Sequence, residues 1–352
     1  MHIFCLYNIM TSSTVMRDSS RPAISADKQI PILFEYFRKE IYRCVHVYSF
    51  MLDFEEFIEE VKHRIVEYLE EYPIETVEIH QVLKNNGVLE TGLVILLKGS
   101  NISPNIYLES YYQLYTEGHL VEELLADIAA AYIFAKEQVE DKEYEPYDAK
   151  QAEKHLFIRL INQEQNEELL QKCPYIPYLD LAITFRYIIL SDGERIGSAL
   201  VSFDDMKRWG YDLGTLYKHA LSSMRALFEP RTVSLEKMLR ERMAEFEEDI
   251  CDIENPLYVL TNDIGMNGAS FMLYDDVLET FAREQKSSFY ILPSSIHEVL
   301  LLPEKEEMNV AFLAETVREV NRMAVAKIEY LSDSVYRYDF NSKCVSICEL
   351  EG

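Results

Sequence analysis

The sequence predicts an α+β fold of mixed helices and antiparallel hairpins, arranged in one or two subdomains. Hydrophobic residues make up 48 % of the 352-residue chain, which is enough for a sizeable core. Segments with a helical apolar period are interleaved with short β-branched and aromatic runs, several of them joined by turns rich in Asn, Asp and Gly. The regular strand–helix–strand order of a doubly wound sheet is missing, so α+β is favoured over α/β.

The first 50 residues differ in character from the rest of the chain. Residues 10–30 are rich in Ser, Thr and Asp and have no apolar period. Such a segment buries too little apolar area to offset the entropy of ordering it. Residues 1–50 are therefore predicted to be a poorly ordered leader, and Met51 is an alternative start to Met1.

A first α+β subdomain is predicted over residues 51–137. Apolar residues recur mostly at three- and four-residue steps over 52–69, with acids at the start, which predicts an amphipathic helix. Alternating strands then flank an Asn-Asn-Gly hairpin turn at 85–87, and the return strand runs to about Leu97. His80 lies on the polar face of the first strand and is interpreted as a solvated side chain. An extended stretch and another helix follow.

Residues 138–154 are strongly polar, with one proline and few aliphatic residues. This composition predicts a linker or a solvated helix. A second α+β subdomain is predicted over 155–352, with a hairpin turn at 191–194 and two helices separated by Pro230. Its strands are predicted at 179–190, 195–203, 255–263, 289–293 and 295–303, its helices at 213–228, 234–250, 271–284 and 310–323, and a terminal hairpin at 335–350.

The charge of the chain restricts its partners. Asp and Glu number 61 against 34 Lys and Arg, which gives a formal net charge of -27. A field of this sign repels nucleic-acid phosphates and anionic lipids, and no cluster of basic residues offsets it. We therefore expect no nucleic-acid partner and no membrane partner.

Other motifs are also missing. No apolar run approaches the roughly 20 residues that span a bilayer. The six cysteines show no CxxC spacing, which favours free thiols in a reducing cytoplasm. No metal motif and no cofactor motif is found, so neither a metal nor a cofactor is expected.

The stretch SSFYILPSSIHEVLLLPE contains the residue pair most suggestive of chemistry, His297 and Glu298. A zinc protease motif needs a second histidine four residues after the first, where this chain has Leu301. A catalytic pairing of His297 with Ser295 is possible in principle, although triads are assembled from distant segments. The favoured interpretation is a serine turn whose hydroxyls bond backbone groups, followed by a histidine at a sheet edge.

Residues 265–269, Gly-Met-Asn-Gly-Ala, join a predicted strand to a predicted helix, a place where phosphates are often bound. The segment lacks the Lys-Ser/Thr ending of a P-loop and the third glycine of a dinucleotide fingerprint. A plain helix-entry turn is therefore favoured. Asn262, Asp263 and Gly268 are kept as candidate ligand-binding residues.

Six segments together resemble a known family. They are LDFEEFIEEV, VLKNNGV, GSNISPNIYLESYY, NPLYVLTND followed by GAS, FYILPSSIHEVLLLP and LSDSVYRYDF. In this order they resemble a bacterial domain-of-unknown-function family, number 5688, common in anaerobic Gram-positive gut bacteria, over about residues 52–350. More distantly, the end of the chain is similar to the YtpQ-like family. The resemblance implies a fold family, a bacterial origin and an intracellular location, and it supplies no catalytic residues.

Two classes of function follow from these observations. The favoured one is a non-catalytic protein that binds a partner protein or a small ligand. The alternative is a hydrolase whose site contains His297, Glu298 and Ser295, beside the strand end at Asn262 and Asp263. The two classes differ in whether these groups meet in a pocket, with nucleophile and base in hydrogen-bond reach.

Overall fold

The computed structural model of the chain describes residues 51–137, 146–191, 196–243, 256–306 and 308–349. Helices and three sheets confirm the α+β class. The described residues form two compact units. The smaller unit contains residues 51–82 and 90–137, and the larger unit contains Leu83–Leu89 and the described residues from 146 onward. The predicted leader lies outside the described residues, as do residues 138–145 of the predicted linker, and the predicted subdomain boundaries stay a prediction.

The smaller unit starts with the amphipathic helix predicted from the sequence. Helix α1 (Phe54–Arg64) begins with a capping box, in which the Asp53 carboxylate accepts from the Glu56 N–H at 2.9 Å. Its buried residue Phe57 belongs to one core shared by the helices and strands of this unit. The other elements are strands β1 (Ile74–Leu83), β2 (Leu89–Leu97) and β3 (Asn105–Tyr107) and helices α2 (Glu109–Thr116) and α3 (Val121–Glu137).

The Asn-Asn-Gly turn between β1 and β2 is confirmed. Asn86 and Gly87 both have positive φ, at 57° and 66°, which these two residue types tolerate well. The buried Asn86 amide donates to the carbonyl oxygens of Lys327 and Tyr330, each at 2.7 Å. The turn residues therefore hold the backbone of a distant segment of the larger unit.

The described part of the larger unit contains two sheets and several helices. The smaller sheet has β6 (Leu181–Ser191) at its centre, with β4 on one side and β5 and β7 on the other. The second sheet has six strands in the order β13-β12-β10-β11-β9-β8. The remaining strands are β4 (Leu156–Asn162), β5 (Tyr175–Tyr178), β7 (Ile196–Leu200), β8 (Pro230–Ser234), β9 (Tyr258–Asn262), β10 (Phe289–Leu292), β11 (Val299–Pro303), β12 (Tyr336–Tyr338) and β13 (Val345–Ile347).

The helices of the larger unit contribute residues to the same apolar clusters as its strands. Among the residues that the structure describes, no helix has the length and apolar character needed to cross a membrane. The helices are α4 (Ala149–His155), α5 (Glu167–Leu170), α6 (Phe203–Trp209), α7 (Leu213–Leu227), α8 (Leu235–Met243), α9 (Asp275–Gln285) and α10 (Val310–Ala324), with 3-10 turns at Glu164–Asn166 and Gly268–Leu273.

Strand β11 is buried on both faces. Val299 and Leu301 belong to one apolar cluster, and Leu300 and Leu302 belong to another. Side chains alternate between the faces of a strand, so both faces must be covered for every residue of such a run to be apolar. The leucine run after His297 is thus a central strand, between β10 and β9.

Two predicted boundaries were wrong. Strand 195–203 ends at Leu200, because Ser202 starts α6 through a capping box with Asp205. The predicted helix 271–284 is a 3-10 turn followed by α9, with a break at Tyr274. Helix α4 occupies the end of the segment predicted as a linker or a solvated helix, and residues 192–194 of the predicted hairpin turn lie outside the described residues.

Two prolines lie in outermost strands. Pro230 does not simply separate two helices, as was predicted, because it opens β8 at one edge of the six-stranded sheet. Pro177 lies in β5, at an edge of the smaller sheet. A proline has no N–H to donate, so these are the strands in which it disturbs a sheet least.

Candidate functional site

The sequence-predicted residues Ser295, His297 and Glu298 lie in the connection between β10 and β11. The Ser295 hydroxyl oxygen is buried and accepts hydrogen bonds from the backbone N–H groups of His297 (3.0 Å) and Glu298 (3.3 Å). The N–H of Ile296 donates to the carbonyl oxygen of Glu329 at 2.9 Å. Ser295 thus shapes the turn.

The His297 ring is 23 % exposed and is held by its neighbours. Its Nδ1 accepts from the backbone N–H of Asn267 at 3.3 Å, and its Nε2 lies 3.8 Å from a carboxylate oxygen of Glu329. An accepting Nδ1 places the proton of the neutral ring on Nε2. Among the described residues no hydrogen bond joins the Ser295 hydroxyl to this ring, so the hydrolase residues form no nucleophile–base pair there.

Asn262 and Asp263 build the turn that follows β9. The Asn262 side-chain oxygen accepts from three successive backbone N–H groups, those of residues 264, 265 and 266, at 3.1, 2.7 and 3.2 Å. Its amide donates to the Met266 carbonyl at 2.6 Å. The Asp263 carboxylate accepts from the Glu229 N–H at 2.9 Å. Both side chains therefore bond the protein's own backbone.

Gly268 is held in close contact with the backbone on two sides. A β carbon at this position would lie 2.5 Å from the His297 carbonyl oxygen and 2.6 Å from the Thr261 Cα. The Thr261 hydroxyl donates to the same His297 carbonyl at 3.0 Å. The backbone of Gly268 packs directly against the backbone of Thr261 and His297. This contact leaves no space for a phosphate at this glycine.

Replacing His297 by alanine is expected to lower the free energy of unfolding by about 1–3 kcal/mol, because the buried Asn267 N–H loses its acceptor. Leu300→Ala serves as a reference for the core, and its free energy of unfolding is expected to fall by about 2–5 kcal/mol. Chemical denaturation of both variants measures the two losses. A His297 variant as stable as the wild type, beside a weakened Leu300 variant, would overturn the structural role and favour the hydrolase alternative.

A cavity of about 670 Å³ lies elsewhere in the larger unit, beside the turn between β5 and β6. Its polar wall consists of carboxylates and carboxamides, and its apolar wall of two aromatic and two aliphatic residues. Among the residues that the structure describes, its lining includes no lysine, arginine or histidine. The lining residues are Gln163, Glu164, Glu167, Gln171 and Asp180, together with Leu170, Tyr175, Leu179 and Phe203.

The three carboxylates of the cavity have different surroundings. Asp180 accepts from the hydroxyls of Ser332 (2.5 Å), Ser334 (2.9 Å) and Tyr336 (2.5 Å). Three donors fix the position of this carboxylate and offset its desolvation. Glu164 and Glu167 are exposed, and in the described part of the chain neither carboxylate has a hydrogen-bond or ion-pair partner.

Leu179 forms part of the cavity wall in an unusual backbone conformation. Its φ is 56°, in the left-handed region that is costly for a branched apolar residue. It forms, with Asp180, a two-residue connection between the paired residues Tyr178 and Leu181. This tight turn places Asp180 at the cavity, within reach of its hydroxyl donors.

Sequence reasoning missed all of these cavity residues. Glu164, Glu167 and Glu168 follow an apolar run, and that pattern is equally typical of a solvated helix. The signal that could have marked them is the absence of a basic residue at helical spacing from Glu164 and Glu167. Glu168 has such a partner in Lys172, at 2.7 Å.

The comparisons with known proteins identify a family. A family model described as a family of unknown function (DUF5688) matches residues 54–340. No curated protein and no solved structure matches the chain.

Within the described ranges, no three His, Cys, Asp or Glu side chains are grouped so that they could hold a metal ion.

Proposed function

The chain belongs to this family of unknown function, and we propose that it is a non-catalytic binding protein whose cavity beside Asp180 takes a small organic cation. The observation that carries the proposal is a cavity whose two exposed glutamates, Glu164 and Glu167, have no cationic partner in the described part of the chain. A bound cation would supply the missing charge.

The charge of the whole chain supports this choice of ligand. A net charge of -27 raises the local concentration of cations and speeds their encounter with the surface. The same field disfavours nucleic-acid partners. Asp180 adds a carboxylate that is already oriented by three hydroxyls, so it can meet a cation without reorganising.

The apolar wall indicates what the rest of the ligand is like. Phe203 is 48 % exposed, and Tyr175 lies in the same lining. Aromatic faces attract an ammonium group and also cover hydrocarbon. Leu170 and Leu179 extend the apolar surface. The ligand that fits is an ammonium ion on a short alkyl or aryl chain.

A cytoplasmic location is part of the same proposal. Cys173, Cys344 and Cys348 are free in the structure. Free thiols persist in a reducing compartment, whereas oxidising compartments favour disulfides.

Isothermal titration of the full chain with phenethylammonium tests the proposal, with 2-phenylethanol as its uncharged analogue. We expect the double variant Glu164→Gln, Glu167→Gln to bind the ammonium ion at least about tenfold more weakly, a change of about 1.4 kcal/mol. Glu168→Gln is the matched control, because Glu168 is adjacent, exposed, paired with Lys172 and outside the cavity lining.

Specific binding at the cavity predicts that the Glu168 variant retains the wild-type affinity and that the uncharged analogue binds weakly or not at all. Equal losses in both variants would show that the ammonium ion responds only to the overall negative charge. Equal binding of the amine and the alcohol would show that the carboxylates are not used. Either result would overturn the proposal.

A further inference from the structure

Arg159 lies inside an otherwise apolar strand of the larger unit. Strand β4 reads Leu-Phe-Ile-Arg-Leu-Ile-Asn, and its six other residues are all buried, while Arg159 is partly buried. One edge of β4 pairs with β6. On the other edge, the Leu160 N–H donates to the Ser270 hydroxyl at 3.1 Å. The backbone that carries the Arg159 side chain is therefore hydrogen-bonded on both edges of β4.

The partner of Arg159 is uncharged. Its Nε donates to the side-chain oxygen of Asn267 at 2.6 Å. Among the described residues, no carboxylate lies within 4.0 Å of it and no other acceptor bonds it. Most other arginines in these ranges do have a carboxylate partner, namely Arg64, Arg208, Arg225, Arg240, Arg283, Arg318 and Arg337.

This contrast runs against the composition of the chain. With 61 acidic residues available, five of the seven paired arginines pair at exposed positions, where an ion pair adds little to stability, and the partly buried Arg64 and Arg337 have carboxylate partners as well. The partly buried Arg159 would gain more from a counter-charge, because removing a charge from water is costly unless it is paired. In the described part of the chain, however, the guanidinium has only the amide oxygen of Asn267 as its acceptor.

A second cation adds to the positive potential on this face of the sheet. In the β4–β6 register, Phe157 is opposite Arg186 and Arg159 is opposite Thr184, so both arginines lie on one face, diagonally across the two strands. Burial lowers the pKa of Arg159 well below its usual value, and the charge of Arg186 lowers it further. An anion at this face would offset both effects.

Asn267 holds the guanidinium in a fixed position. It is buried and has φ 57°, a left-handed conformation that asparagine tolerates. Its backbone N–H donates to His297, and the next residue, Gly268, is packed against the backbone of Thr261 and His297. His297 is thus a positioning residue for Asn267. A rigid support lowers the entropy cost of binding at Arg159.

We propose that Arg159 is the anchor of a binding site for a small oxyanion, such as the carboxylate or phosphate group of a solute. The Nε of Arg159 is engaged by Asn267, while its two terminal nitrogens have no protein acceptor in the described part of the chain. A guanidinium presents such nitrogens as a planar fork that matches two oxygens of a carboxylate or phosphate.

The ligand is small because the chain repels large anions. A net charge of -27 disfavours a nucleic-acid backbone, which needs many basic contacts. A single oxyanion feels the distant carboxylates weakly, since charges separated by more than about 8 Å are screened at physiological ionic strength. This site uses none of the residues that line the cavity, so its test is independent of the proposed cation.

Nitrogen-15 NMR of arginine Nε signals in the full chain, titrated with inorganic phosphate and, separately, with acetate, tests this inference. The Arg159 Nε signal should shift in a saturable way with at least one anion. The midpoint temperature of thermal unfolding should rise with the same dependence on the concentration of that anion. Tighter binding of phosphate indicates a phosphorylated solute, and tighter binding of acetate a carboxylic acid.

Three variants and a control locate the effect. Arg159→Gln and Arg159→Lys are expected to weaken binding at least about tenfold, since neither keeps a charged fork. Asn267→Asp is the sharpest variant, because it places a carboxylate where the amide oxygen now bonds Arg159. It should raise thermal stability without added anion and remove the shift that the anion causes. Arg322→Gln, at an exposed arginine without a carboxylate partner in the described ranges, should leave binding unchanged.

Two results would overturn the inference. One is an Arg159 signal that does not shift with either anion. The other is a stabilisation by anions that persists in both the Asn267→Asp variant and Arg159→Lys. The Asn267→Asp variant keeps this test decisive even where Arg159→Gln fails to fold.

Discussion

Gly268→Ala is expected to lower the free energy of unfolding of the larger unit by about 3 kcal/mol or more, at the upper end of the cost of overpacking. The new β carbon would lie 2.5 Å from the His297 carbonyl oxygen and 2.6 Å from both the Cα and the hydroxyl oxygen of Thr261. Thr261 belongs to β9, which pairs on both sides with β8 and β11. The Thr261 backbone cannot move away without breaking this pairing, and the His297 backbone is held by the bond from its N–H to the Ser295 hydroxyl.

Denaturation followed by tryptophan fluorescence measures this loss in the larger unit, because the single tryptophan of the chain, Trp209, is buried there. Gly214→Ala is the matched control. A β carbon at Gly214 would meet its nearest neighbour at an ordinary 3.7 Å, inside helix α7. That variant should be neutral or stabilised by up to about 1 kcal/mol, as alanine is the better helix former. Equal stabilities for the two variants would contradict the close contact at Gly268.

Asp180→Ala is expected to lower the free energy of unfolding by about 3–5 kcal/mol. Leaving a buried donor unpaired costs about 1–3 kcal/mol, and two of the three hydroxyls that lose their acceptor, those of Ser332 and Tyr336, belong to buried residues. Ser332 and Tyr336 are 1 % and 0 % exposed, so water cannot replace the lost oxygens without a rearrangement. Burial, and the Asp180 charge after it, raise the pKa of Tyr336, so its hydroxyl stays a donor through the neutral range.

Tyr336→Phe is the comparison for Asp180→Ala. It removes one donor and leaves Asp180 bonded to Ser332 and Ser334. The free energy of unfolding of this variant should therefore fall by less, about 1–2 kcal/mol. Both variants are measured by denaturation without added ligand, since Asp180 also lines the cavity. A phenylalanine variant as unstable as the alanine variant, or less stable, would contradict the role of Asp180 as a shared acceptor, because Tyr336→Phe leaves two of its three hydroxyl bonds in place.

Several elements could be predicted from the sequence because their local patterns agree with their final environment. Helix α1 has its capping box, acids and apolar stripe within a few turns of chain. The Asn-Asn-Gly turn needs positive φ at Asn86 and Gly87, and few residues adopt it easily. Strand β11 is short and uniformly apolar, and it ends at Pro303. In each case the signal is local.

The remaining elements depend on contacts that are distant in sequence. Strand β4 has no polar alternation, because both of its faces are covered, and it was not assigned. Arg159 within that run was a visible anomaly, but its meaning depends on Asn267, which is 108 residues away. The cavity likewise joins the 163–171 segment to Phe203. No spacing rule connects such residues.

The prolines in the outermost strands have a consequence for the protein in concentrated solution. An edge strand exposes a row of N–H and C=O groups to which a strand of another molecule can pair. Pro177 and Pro230 each remove one N–H from an edge strand, in β5 and β8. They interrupt the row of donors that a further strand would need, and so protect these two sheet edges against edge-to-edge aggregation.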